Sequence, residues 1–440
     1  MFGFWLPLYQ FVCGLISAVV GHSLLVAKLV SAVSGTGVCL LVYAISLQLT
    51  ANRPLALLAF AFIAVNPVHI MYSAFSLTDV PHALLVLGGL YFAIRRRWIF
   101  AAALIAVASL MRVESWLFIP LLPALQFLVE RKVSLASFCI AVFGPLLWLY
   151  ICWNATGNPL EYFRVRSGYV AELVASNPDL GSYSIHRIAG DLHTLIYAVN
   201  PVVIGAAVIA VLLPTKLFGH QPWKKLPEQF SPVAVTSFLV TSLGFLLVSY
   251  FTNNQPAIFA RYGLIIFALG LPVLFWTLLR VSEWRPAIRR YSFVLAAFFV
   301  WQMGFQIASC ASFLSYTSQK RAIADCLRTR YEADPGPNIL CDDWTVRVLS
   351  GVSSGSFITS DSCPGESKLF LTCVKENGVH LVVFVQMEGI LARPPFSELD
   401  EMSERGMIEQ IMRVGSRRHS ASLYRFSGDI GPGEPPTLRR

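Results

Sequence analysis

A lone carboxylate, Asp79, interrupts two apolar runs in the stretch Tyr72-Ser73-Ala74-Phe75-Ser76-Leu77-Thr78-Asp79-Val80-Pro81-His82. A carboxylate facing hydrocarbon costs about 3 kcal/mol, so one in this setting either faces water or serves a site. Pro81 suits the first turn of a following helix, where its missing N–H is not needed. Asp79 is then expected about one residue before that helix, where it also meets the positive end of the helix dipole; a plain helix cap is the rival reading. Arg112 and Glu114, in Ser109-Leu110-Met111-Arg112-Val113-Glu114-Ser115-Trp116, separate two further apolar runs. Each is the other's nearest neutralising partner, as a site or as an interfacial ion pair capping two short helices. The polar stretch from Trp153 to Tyr169 interleaves Arg164 and Arg166 with Tyr162 and Tyr169. Forked donors suit phosphate and amphipathic rings suit a membrane interface, although such a patch also touches lipid phosphates without specificity. Arg261-Tyr262 opens a late apolar run directly after Asn253-Asn254-Gln255-Pro256. Carboxylates that take a proton and guanidiniums that hold a phosphate are thus available, if the fold brings them together. His69 and His82 read as packed structural residues beside helix ends. The sequon Asn154-Ala155-Thr156 matters only in a glycosylating secretory pathway.

The elements that must position these residues are membrane helices. The chain has 440 residues, of which 55% are hydrophobic and 13% charged, with mean hydropathy +0.61. Too little polar surface is left to cover a soluble globule, which makes the chain a multispan membrane protein. Apolar runs at about 24–49, 53–74, 80–94, 98–112, 114–129, 134–153, 191–214, 232–251, 259–280 and 288–310 give about ten spans. The runs 80–94 and 98–112 are short for a ~30 Å core, so they are expected to end in a protein-lined or water-filled cavity.

The net charge of +9 does not indicate nucleic acid, because the basic residues sit in short connections. Arg53, Arg95-Arg96-Arg97, Arg131-Lys132, Lys216 with Lys224-Lys225, and Arg280, Arg285, Arg289 and Arg290 fall in every second connection, which the positive-inside rule makes cytoplasmic. The opposite face then carries Asp79, the Arg112/Glu114 junction, loop 154–190, the loop near 252–261 and the tail after 310. Residues 1–22 lack a signal peptide's basic first segment and cleavage site. Parity makes them an outer-interface helix, with Trp5 and Tyr9 at headgroup level; a full span with a tight turn is the alternative.

From about 331 the runs shorten to strand length. Residues 339–341, 356–359, 369–374, 380–386 and 422–426 read as strands, and Phe396 to Val414 as a helix. The expected organisation is an outer-interface helix at 1–22, a membrane domain at 23–312, a linker helix and linker at 313–337, a small α/β domain outside the cytoplasm at 338–428 and a disordered tail at 429–440. Of the nine cysteines, Cys13, Cys39, Cys139, Cys152 and Cys310 lie in or beside apolar runs and read as small core residues. Cys341, Cys363 and Cys373 suffice for one disulfide, with pairing undetermined. Asp342-Asp343 reads as a solvated turn, since adjacent carboxylates point to opposite faces of an extended chain.

The order of Trp5-Leu6-Pro7-Leu8-Tyr9, Ala27-Lys28-Leu29-Val30-Ser31-Ala32, Asn66-Pro67, Tyr72-Ser73, Leu77-Thr78-Asp79, Arg112-Val113-Glu114 and Arg261-Tyr262 ahead of Pro272 resembles the GT-C membrane glycosyltransferases. The nearest branch is that of protein O-mannosyltransferases and aminoarabinose transferases, and the resemblance covers roughly residues 5 to 310. It implies a helical bundle that takes a sugar from a polyprenyl phosphate donor, with inversion, and passes it to a glycan, lipid or protein acceptor outside the cytoplasm. The setting would be the inner or plasma membrane. It implies catalytic carboxylates at Asp79 and Glu114, and donor phosphate binding by Arg261, Tyr262, Arg112, Arg164, Arg166 and Lys28. Lys28 stands where the family commonly has an arginine, which keeps the charge but loses the planar fork. No cofactor is assigned, and a divalent metal is compatible with the resemblance. In the family a first span and an acidic outer loop precede the segment matching Trp5 to Tyr9, and this chain starts after them. Asp79 is then expected as a supporting carboxylate. Two alternatives stand: a non-catalytic relative or fragment that binds lipid-linked sugar, and a transporter or flippase for a lipid-linked saccharide.

Sidedness underlies all of this. Cysteines introduced beside Asp79 and beside Arg261, in a background without the native cysteines, are expected to react with an impermeant thiol reagent from the same, outer side. Labelling from opposite compartments would exclude a common pocket.

Overall fold

In hydrocarbon every backbone N–H and C=O must pair within its own segment, so apolar runs become helices. The computed structural model describes residues 6–21, 24–176, 184–212, 230–252, 260–284, 292–333 and 338–341, then 357–358, 379–386, 408–415, 420–426 and isolated positions near them. The expected strand 369–374, Asp342-Asp343, Cys363, Cys373 and the tail 429–440 lie outside the described residues. The chain divides into two units, 1–308 and 309–440.

In the first unit the helices are α1 (Leu8–Val20), α2 (Leu24–Thr50), α3 (Arg53–Ala64), α4 (Pro67–Ala74), α5 (Asp79–Ile94), α6 (Trp98–Ser109), α7 (Phe118–Glu130), α8 (Leu135–Thr156) and α9 (Glu161–Ser176). They continue as α10 (Ile185–Val199), α11 (Pro201–Leu212), α12 (Phe230–Phe251), α13 (Ala260–Trp284) and the start of α14 (Ser292–Ala333). A short 3₁₀ turn, Val113–Leu117, precedes α7. Among the described residues five helices are long and apolar enough to cross a membrane, or seven if the bent pairs α3–α4 and α10–α11 each make one span. The chain is a polytopic helical membrane protein. Helices α5 and α6, with 16 and 12 residues, reach only about 24 and 18 Å at 1.5 Å per residue, short of a full crossing.

The breaks follow from sequence. Pro67 cannot continue α3, and the Asn66 side chain caps α4 by accepting from the His69 N–H at 2.9 Å; the two helices meet at 57°. Asn200, at φ +73°, and Pro201 break α10 from α11 at 87°. Helix α13 is the hub: 72% of its apolar window is buried, against 33–39% in the other spans. It packs on α2, α5, α10, α11 and α12. Close approach to the α10–α11 bend needs its glycines, since a Cβ at Gly263 would strike Ala198 and one at Gly270 would strike Val203.

Among the described residues the second unit holds a five-stranded sheet in the order β2-β1-β3-β5-β4, formed by β1 (Asn338–Cys341), β2 (Phe357–Ile358), β3 (Val379–Gln386), β4 (Ile408–Gly415) and β5 (Ser420–Phe426). β1 runs parallel to β2 and β3, whereas β5 is antiparallel to β3 and β4. Ile323, Ala324 and Leu327, near the end of α14, pack on Ile339, Leu381, Val383 and Leu423 of the sheet. The helix expected over 396–414 is corrected: 408–415 is strand β4. Its pairing skips from Gln410 to Met412, leaving Ile411 as a bulge. The extra residue puts Ile411 beside Met412, so that Ile408, Ile411 and Met412 copy the i, i+3, i+4 spacing of a helix.

Gly144 of α8 faces the Ala106 carbonyl and the Ser109 hydroxyl of α6, with no room for a Cβ. Gly144→Ala is expected to lower stability by about 1–3 kcal/mol, measured by thermal unfolding in detergent. Gly168→Ala, where a Cβ would meet open space, is expected to change it by less than about 0.5 kcal/mol.

Candidate functional site

Helix α5 opens at Asp79 itself, with Pro81 in its first turn, and the Thr78 side chain makes no cap bond. Asp79 is 6% exposed, and its carboxylate is turned toward a guanidinium rather than spent on its own helix. Helix α6 ends at Ser109, and the backbone becomes extended at Arg112 (φ −150°, ψ 138°). From there Arg112 donates from Nη1 to Asp79 Oδ1 and from Nη2 to Glu114 Oε1, both at 2.7 Å. The Arg112 side chain is 13% exposed and Glu114 17%. One guanidinium thus holds two carboxylates away from bulk water, where charged hydrogen bonds are strong and unpaired charge is costly.

Secondary contacts hold the clamp in place. His82, one turn beyond Asp79, shares a 2.7 Å hydrogen bond with the Ser115 hydroxyl, next to Glu114. The Trp116 indole donates to the Ser109 carbonyl, and the Leu8 N–H to the Leu110 carbonyl. These bonds satisfy backbone groups left open where α6 ends.

Helix α13 brings the remaining charge. Tyr262 lies under the Arg112 guanidinium at 5.3 Å and under that of Arg261 at 5.1 Å, within cation–π range. Arg261 Nη2 also donates to the Tyr262 hydroxyl at 3.1 Å. Asp79, His82, Arg112, Glu114, Arg261 and Tyr262 line one cavity of about 50 Å³, together with Phe118, Ile265 and one face of α12. Two carboxylates and two guanidiniums make its charged lining neutral.

A second cavity, about 280 Å³, adjoins it. Val113, Trp116, Tyr162, Phe163, Arg166 and Ser167 are among its lining residues, and Phe245 and Ser249 of α12 line both cavities. Arg166 Nη1 donates to the Tyr162 hydroxyl at 2.9 Å, and Tyr162 packs with Trp148 and Cys152.

Of the residues proposed for a site, Asp79, Arg112, Glu114, Arg261 and Tyr262 therefore share the charged cavity, and Arg166 lies in its neighbour. Lys28 and Arg164 line neither. Lys28 is on the exposed side of α2. Arg164 is 72% exposed and forks onto Glu161, three residues earlier, which holds that carboxyl below its ordinary range. Ser242, Phe245, Leu246 and Ser249 of α12 were not singled out from sequence. They form an i, i+3, i+4, i+7 face, and two serines seven apart in an apolar run were the available signal. Among the described residues no group of three or more His, Cys, Asp or Glu gathers as a metal site.

No family model matches the chain, and no curated protein matches it. Among solved structures it is similar to ArnT from Cupriavidus metallidurans in the apo state, at 12% identity and TM-score 0.42 over 96% of this chain and 88% of that one. It is also similar to ArnT from the same organism bound to undecaprenyl phosphate, at 11% identity and TM-score 0.41 over 98% and 90% of the two chains. Similarity at that level carries no residue-by-residue correspondence.

Removing Arg112 strands two buried carboxylates. Arg112→Met is expected to cost about 3–5 kcal/mol of stability, read by unfolding in detergent. Adding Asp79→Asn and Glu114→Gln to that variant is expected to restore at least half of the loss, because the uncompensated charge disappears. An Arg112→Met protein as stable as wild type would show that the clamp contributes nothing.

Proposed function

We propose that this chain is a GT-C-type membrane glycosyltransferase that moves a sugar from a polyprenyl phosphate carrier to an acceptor outside the cytoplasm. The observation that carries the reading is convergence. Charged residues at 79, 112–114 and 261, far apart in sequence, line a single cavity beside spans long enough to cross a bilayer. Ionisable groups inside a membrane domain are costly, and a shared cavity with both signs of charge is the arrangement that acid–base and phosphate chemistry requires. The order of motifs along residues 5 to 310 supplies the family to which this chemistry is assigned.

In the reaction the acceptor hydroxyl attacks the anomeric carbon, and the bond from that carbon to the phosphate oxygen breaks on the opposite side. The phosphate leaves with the bonding electrons, and the hydroxyl proton passes to a carboxylate. Arg112 engages one oxygen each of Asp79 and Glu114, leaving a second oxygen on either to receive that proton. Arg261, with the Tyr262 hydroxyl, is assigned to the departing phosphate, where a preorganised cation acts as negative charge develops. Arg112 positions the carboxylates and shares the phosphate's charge.

Turnover of polyprenyl phosphate hexoses and pentoses in vesicles tests this. Asp79→Asn and Arg261→Ala are each expected to reduce transfer by about 10²-fold or more. Wild-type transfer that survives undiminished in both variants would remove the site assignment. A wild-type protein that binds the donor lipid and turns none over would place the chain among non-catalytic binders.

A further inference from the structure

The charged cavity has room for reacting atoms and little more. Its volume of about 50 Å³ accommodates about two water molecules, whereas a hexose has about a dozen non-hydrogen atoms. The neighbouring cavity, at about 280 Å³, has the missing space. Phe245 and Ser249 line both cavities. The extended segment at Arg112 contributes to the same partition: Arg112 and Glu114 line the charged cavity, while Val113 between them lines the larger one.

We infer that the larger cavity receives the sugar ring of the donor, and that Phe245 is the specificity-determining residue deciding which rings can present their anomeric carbon to the charged cavity. The inference rests on the glycosyltransferase reading above. The lining has the two-sided chemistry of a pyranose, whose C–H faces are apolar and whose rim is hydroxylated. Trp116 and Phe163 meet edge to face with centroids 5.8 Å apart, as do Tyr162 and Phe163 at 5.3 Å, giving a bent aromatic surface for the C–H face. Arg166, Ser167 and Ser249 bring guanidinium and hydroxyl groups to the rim. Phe245, on the shared wall, is large enough that its size sets the opening between the space for the ring and the groups that act on the phosphate bond. Arg166, grouped from sequence with the phosphate ligands, belongs on this geometry to the sugar.

The test compares two probes on the full chain in lipid nanodiscs: polyprenyl phosphate, and the same lipid bearing a hexose. The ratio of their dissociation constants isolates what the ring contributes. Wild type is expected to favour the sugar-bearing lipid. Phe245→Trp, which narrows the opening, is expected to cut that ratio about tenfold. Phe245→Leu, a milder change that guards against misfolding, is expected to shift preference about tenfold toward a lipid carrying the bulkier N-acetylhexosamine. If wild type binds both lipids and the ratio is indifferent to residue 245, the inference falls and the glycosyltransferase reading stands. If residue 245 alters use of different acceptors but not the lipid ratio, the cavity serves the acceptor and the inference is overturned. If wild type binds neither lipid, both readings fall together.

Discussion

One guanidinium shared by two carboxylates is the constraint around which this membrane domain is arranged. Arg112 holds Asp79 and Glu114 at 2.7 Å in surroundings where none of the three side chains is more than 17% exposed. Arg112 neutralises only one of the two negative charges, and an uncompensated charge away from water is costly. Arg261 brings the lining to neutrality, and the ring of Tyr262 lies within cation–π range of both guanidiniums. Placing these groups therefore fixes three pieces of chain at once: the first turn of α5, the link from α6 to the 3₁₀ turn, and the first turn of α13.

The helices obey that placement. Non-helical backbone inside a membrane domain is tolerated only where it is buried in protein or lines a cavity, and the 110–112 link, whose Arg112 lines the charged cavity, is such a segment. The Ser109 and Leu110 carbonyls, where α6 gives way to it, accept from the Trp116 indole and the Leu8 N–H. Helices α5 and α6 are too short to cross because one begins and the other ends at the cavity. Helix α13 carries Arg261 and Tyr262 at its start, and glycines at 263 and 270 let it approach the α10–α11 bend. The residue before that bend's proline, Asn200, is only 2% exposed, and its carbonyl accepts from the Val203 and Ile204 N–H groups.

Much of this was legible in the sequence, for reasons specific to the solvent. An ionisable residue between apolar runs is conspicuous, and Asp79, Arg112, Glu114 and Arg261 stood out because a bilayer tolerates so few of them. Lys28 entered through the family resemblance and Arg164 through the arginine–tyrosine pattern of the 153–169 stretch, yet a charge can lie on the exposed side of its helix, as Lys28 does, or satisfy a neighbour on its own helix, as Arg164 does with Glu161. Sequence does not say which. The α12 face was harder to see, since Ser242, Phe245 and Ser249 differ little from the hydroxyl and aromatic residues that line any packed helix. Strand β4 was misread because a bulge converts a period of two into one that mimics a helix. In each case the missing information was which neighbour a residue meets.

The clamp also bears on how a carboxylate so firmly paired could act as a base. A guanidinium at hydrogen-bond distance stabilises the charged form of a carboxylate and weakens its affinity for a proton. Without donor, Asp79 and Glu114 each give one oxygen to Arg112. A donor phosphate entering the same cavity competes for Arg112, because a phosphate oxygen is an equally good partner for the planar fork. On the proposed reading, every hydrogen bond that Arg112 transfers to the phosphate is withdrawn from a carboxylate. On that reading, release of a carboxylate and stabilisation of the leaving group are coupled through one side chain, so a carboxylate is freed only when a phosphate is there to leave.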